Sequence, residues 1–140
     1  MLSPIRSLLL GLWVGAMAGF AFIFAPIAFA HVGPTPAFAA TIAACVRSIA
    51  AGGAALGILA ALATLAVREA PRTKAIVIGC IALALAFSAF ETAAIVPAME
   101  KTPLLTPAYE SLHRMSSGVY SAVLIFALGA FAASSRSAYR

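Results

Sequence analysis

Arg47, Glu91 and a polar stripe of His113, Ser116, Ser117, Tyr120 and Ser121 are the side chains of this sequence best equipped for chemistry. The stripe runs i, i+3, i+4, i+7 and i+8, the spacing of one helical face, on a segment otherwise built from Val, Leu, Ile, Phe and Ala. An imidazole, hydroxyls and a phenol sharing a face could hold a ligand, an ion or a proton. They could equally act only as hydrogen-bonding glue that sets the register between helices. Both readings remain open at the level of sequence.

Arg47 and Glu91 matter because of where they fall. Each interrupts a long apolar run, and ionisable groups inside a membrane are costly and are functional candidates by default. Counting from the outer ends of their runs at 1.5 Å per residue, Arg47 lies about 15 Å deep and Glu91 about 9 Å deep. Long side chains could close that difference. An Arg47–Glu91 ion pair is therefore expected, each charge compensating the burial of the other. With Arg47, Glu91, His113, Ser116, Ser117 and Tyr120 in one outer-leaflet polar cluster, a site for a small solute, ion or proton becomes conceivable.

The elements that must position these groups follow from composition. Of 140 residues, 64% are hydrophobic and 9% charged, with a mean hydropathy of +1.07, against roughly 25% charged in a soluble domain. The chain reads as an all-α integral membrane protein, a single domain over residues 1–140. Apolar runs long enough to cross about 30 Å of hydrocarbon cover about 5–30, 37–67, 75–97 and 108–133. Ser3-Pro4, Thr35-Pro36 and Thr106-Pro107 each set a hydroxyl before a proline at a helix start, and Thr73 is the expected cap of the third run. Short connectors make neighbouring helices antiparallel, so the fold class is an antiparallel four-helix transmembrane bundle. Pro26, inside the first run, should free the carbonyl of Phe22 and kink or end the helix.

Basic residues are distributed asymmetrically. Arg6, Arg68, Arg72, Lys74, Arg136 and Arg140 fall on one side, Lys101 and Arg114 on the other. By the positive-inside rule both termini are expected in the cytoplasm, in a bacterial inner membrane. A net charge of +5 deployed this way serves topology and lipid headgroups, and no nucleic-acid partner is expected. Residues 28–30 have the small-x-small form of a signal cleavage site, but the apolar run before them exceeds a signal h-region, so the segment is expected to remain as the first helix.

Gly11, Gly15 and Gly19 form a ridge at four-residue spacing, repeated by Gly53 and Gly57. Such ridges allow close approach in lipid, and packing of the first helix against the second is expected, with a homo-oligomer seam as the alternative. Cys45 and Cys80 are separated in depth by roughly 10 Å, too far for a disulfide. With four acidic residues, two His and two Cys, and no Cys-x-x-Cys-His motif, no catalytic residue, metal or cofactor is assigned and no enzyme is expected.

Several segments together resemble a known family. These are Gly11-x3-Gly15-x3-Gly19-Phe20 running to Phe24-Ala25-Pro26, Ile95-Val96-Pro97-Ala98-Met99, and Tyr109-Glu110-Ser111-Leu112-His113-Arg114-Met115-Ser116. They look like the domain of unknown function 4149, the transmembrane protein 205-like family. The resemblance implies a four-helix membrane protein without an established activity, and it points to His113 and Ser116. The expected role is an accessory or scaffold subunit of a larger membrane complex, with membrane lipids and other membrane subunits or further copies as partners. The alternatives are a carrier or channel for a small solute or ion and, third, a haem or metal redox protein using His113.

Overall fold

The computed structural model describes residues 2–137, with side chains through Ser135. Arg140 and the side chain of Arg136, two of the basic residues counted above, lie outside the described residues. Four helices run up and down: α1 (Leu2–Val32), α2 (Pro36–Ala66), α3 (Pro71–Lys101) and α4 (Pro107–Ser137). All four are long and apolar enough to cross a membrane. Helices in contact are α1 with α2, α2 with α3, α3 with α4 and α4 with α1. The bundle is thus a ring of antiparallel neighbours. One end, the terminal end, carries the start of α1, the end of α4 and the 67–70 connector; the other, called here the loop end, carries the connectors around Gly33 and Pro103.

The helix starts obey local chemistry in two of four cases. The Thr35 hydroxyl accepts from the Phe38 N–H at 3.2 Å, and Thr106 does the same for Tyr109 at 3.2 Å, each satisfying a donor that the first helical turn leaves orphaned. Thr73 does not cap α3, which begins earlier, at Pro71, behind Ala70. Ser3 already lies within α1. Lys74 closes the preceding helix instead, its ammonium donating to the Leu65 carbonyl at 3.0 Å.

Neither Pro26 nor Pro97 ends its helix. Ahead of each, one turn widens into a π-helix, Phe20–Phe24 before Pro26 and Glu91–Ile95 before Pro97. There the Ala25 N–H reaches back to the Phe20 carbonyl, and the Val96 N–H to that of Glu91. A proline removes one amide and crowds the carbonyl four residues earlier, and the wider turn lets the helix absorb both effects. Consequently α3 continues past Pro97 to Lys101, and residues 98–101 are helix rather than connector. Pro26 and Thr35-Pro36 recur as Pro97 and Thr106-Pro107 at the same spacing, so the bundle consists of two similar hairpins.

Each helix turns one narrow seam inward. The buried residues are Arg6, Leu10, Trp13 and Met17 in α1; Gly53, Gly57, Ala60 and Thr64 in α2; Val77, Ile81, Ala84, Glu91, Ile95 and Val96 in α3; and Val123, Ala127, Ala130 and Ser134 in α4. The alternating steps of four and three in α1, α2 and α4 are the knobs-into-holes spacing. The tightest knob is Trp13, whose indole lies over Gly53 and Gly57, so close that a Cβ at Gly53 would stand 2.3 Å from Nε1. Packing of α1 on α2 is therefore as expected, but the two glycine ridges do not face each other. A Cβ at Gly11 would meet Phe131 of α4 at 3.4 Å, and Gly15 and Gly19 have no neighbour within 4 Å of theirs.

Candidate functional site around Glu91

Glu91 opens the π-turn of α3 and points into the bundle, 3% exposed. Because α3 runs on to Lys101, the carboxyl lies about 15 Å from the loop end of its helix at 1.5 Å per residue, deeper than a helix ending at Pro97 would place it. Its Oε1 accepts from the Ser116 hydroxyl of α4, while Oε2 has no hydrogen-bond partner among the described residues. One turn further along α4, the Tyr120 hydroxyl donates to the Met17 carbonyl of α1 at 3.1 Å. A small cavity of about 10 Å³, open to the centre of one water molecule, sits among Trp13, Met17, Ser88, Glu91, Tyr120 and Val123. That is about the least space that holds a water.

The remaining members of the expected cluster lie elsewhere. Arg47 does not pair with Glu91; its guanidinium forks onto Glu100, with both bonds at 2.6 Å, and the two side chains are 44% and 40% exposed. The extension of α3 beyond Pro97 explains the change of partner, since it puts Glu100 on the helix itself. Direction reinforces it. Side chains tilt toward the N-terminus of their own helix, so Arg47 on α2 leans to the loop end and Glu100 on the antiparallel α3 leans back to meet it.

The stripe on α4 divides in the same way. Stepping back from Val123, Ala127, Ala130 and Ser134 by 3.6-residue turns, the inward seam passes through Ser116 and close to Tyr120, while Ser117 is rotated by about 100°. Ser117 and Ser121 accordingly bond back to the carbonyls of His113 and Ser117 at 2.9 and 2.8 Å, satisfied within their own helix. His113 is exposed and stacked on Tyr109, with centroids 6.5 Å apart and planes within 4°. Of the six expected site residues, Glu91, Ser116 and Tyr120 converge; Arg47, His113 and Ser117 do not.

At the terminal end, a group that sequence inspection assigns only to topology forms a second polar centre. Arg6 is fully buried and forks onto Glu69 of the connector at 2.8 and 2.7 Å, while donating to the Ser134 carbonyl at 3.1 Å. The step from Arg6 to Leu10, Trp13 and Met17 on one seam is the signal that could have found it. Among the described residues no group of three or more His, Cys, Asp or Glu is placed to hold a metal ion, and both cysteines are free.

Family comparison bears on the first three helices. The family model of a domain of unknown function, DUF4149, matches residues 8–105. The chain belongs to this family. The matched span includes both π-turn prolines, the Trp13 seam and Glu91, and it stops before the segment of α4 carrying His113 and Ser116. Membership therefore rests on the earlier helices and says nothing of those two residues. Comparison with curated proteins and with solved structures gives no match.

Proposed function

We propose that this small membrane protein is an accessory subunit that docks onto another membrane protein through α1. The observation that carries this reading is the behaviour of α1 beyond the midpoint of its span. From Phe20 to Val32 it has no buried residue, and among the described residues no Cα there comes within 8 Å of α4. Gly15, Gly19, Ile23, Ile27 and His31 share one face at four-residue spacing, and its outer part borders an open apolar groove. Within the chain itself, glycines so spaced receive an aromatic knob, as Gly53 and Gly57 receive Trp13. An apolar helix of the partner would occupy Gly15 and Gly19 in the same manner. The narrow interior supports the reading from the other side, because a cavity sized for one water is no lumen for a solute.

Native mass spectrometry from membrane vesicles tests this. Wild type is expected in a complex containing a different membrane subunit, and Gly15→Leu with Gly19→Leu should release a folded 14.2 kDa chain. A wild-type monomer, or an assembly of identical chains only, would overturn the proposal. The orientation proposed for this subunit has both termini in the cytoplasm of a bacterial inner membrane, supported by Arg68, Arg72 and Lys74 at the terminal end. On a background lacking Cys45 and Cys80, a cysteine at Pro34 should react with an impermeant thiol reagent from outside and one at Arg72 should not. The reverse pattern refutes the orientation.

A further inference from the structure

Glu91 is a buried carboxyl to which the described residues of the bundle supply one hydroxyl and no cation. The Ser116 hydroxyl meets Oε1, Oε2 has no partner among the described residues, and Glu91 lines the water-sized cavity. A carboxylate held in such surroundings requires a positive species to neutralise it. We infer that Glu91 and this cavity form a proton-binding site inside the membrane. An O–H bond forms at Oε2 when a proton arrives through the cavity water and breaks when the water takes it back. No electron transfer and no other reactant is involved.

The walls favour a proton over a metal cation. A hard cation takes about six oxygen ligands. The cavity offers oxygen-bearing side chains from Ser88, Glu91 and Tyr120 alone, and the Tyr120 hydroxyl is committed to the Met17 carbonyl. Among the described residues, no counter-charge faces the carboxyl from the packed elements. From α1 come Trp13 and Met17; from α2 come Val46, Ile49 and Ala50; from α4 come Ser116, Val123 and the phenol of Tyr120. Arg47, beside Val46 in sequence, is turned to Glu100, and His113 is exposed one turn from Ser116. Phe20 packs on Tyr120 with ring centroids 5.9 Å apart, next to the place where α1 parts from α4.

The single tryptophan of the chain, Trp13, lines this cavity and reports on it. Charge at Glu91 changes the local field on the indole, so emission from protein in lipid nanodiscs should titrate as a single site when pH is varied. Glu91→Gln should abolish that titration, and Ser116→Ala, which keeps the carboxyl but removes its hydrogen bond, should displace its midpoint. Circular dichroism and gel filtration establish which variants fold. If Glu91→Gln does not, the midpoint in Ser116→Ala decides, and an unchanged one overturns the site. Emission flat with pH in wild type, or a titration that survives in Glu91→Gln, also overturns it. So does a Glu91-dependent response to sodium or potassium at constant pH, which would make the occupant a metal cation.

Discussion

Arg6→Ala should lower the stability of the bundle by roughly 3–5 kcal/mol, the usual result of removing one partner from a buried ion pair. The side chains of Arg6 and Glu69 are 0% and 7% exposed, and the guanidinium also holds the Ser134 carbonyl in the last turns of α4. Its loss removes the fork onto Glu69 of the connector and the tie from α1 to the Ser134 carbonyl of α4. Arg6→Lys should fall between wild type and Ala, because an ammonium keeps the charge but not the planar fork that engages both carboxylate oxygens and a carbonyl together. Removing both partners, Arg6→Ala with Glu69→Ala, should cost less than the sum of the single losses. Denaturant or thermal unfolding in detergent, followed by circular dichroism, compares these proteins and the Glu69→Ala single variant with wild type, and strictly additive losses would exclude the coupling.

Gly53→Ala is the second large effect. One added methyl would stand 2.3 Å from Trp13 Nε1 and 2.9 Å from Cδ1 and Cε2, distances no real contact adopts. Trp13 is 2% exposed and enclosed by the seams of its neighbours, so the ring cannot swing clear without moving α1 away from α2. Overpacking of this kind typically costs about 1–3 kcal/mol, against about 1 kcal/mol that Ala gains over Gly inside a helix. A net loss of stability is expected. Gly57→Ala should follow in the same direction, its Cβ meeting Cζ3 at 2.8 Å. Adding Trp13→Phe to Gly53→Ala should recover part of the loss by shrinking the knob. Gly15→Ala supplies the contrast: nothing lies within 4 Å of its added carbon, so only the helix preference acts and stability should hold or rise. Equal losses at positions 15 and 53 would show that backbone preference, and not the Trp13 contact, governs this face.

What the sequence by itself determined is the framework. Four apolar runs, connectors marked by Gly33, Pro34 and Pro103, and the threonine caps at Thr35 and Thr106 lead to four spanning helices in antiparallel order. These follow from hydropathy and local backbone chemistry, which act residue by residue. The packing of Trp13 into Gly53 and Gly57 was half legible, since the glycine spacing announces a close approach without naming what approaches. Tertiary structure decided which face turns inward. A helix in lipid is apolar on every side, so the exposed Leu8, Leu12 and Leu62 look the same in sequence as the buried Leu10 and Ile81. That ambiguity made the α4 stripe look like one polar face, where the seam takes Ser116 and Tyr120 and leaves His113 and Ser117 outside. The ion pairs depended on the same long-range facts. Arg47 meets Glu100 because α3 passes through Pro97 on a π-turn, and Arg6 meets Glu69 because closing the ring brings the connector over the start of α1. A charge in a bundle pairs with the partner that helix length and rotation bring to it, and both are properties of the assembled helices.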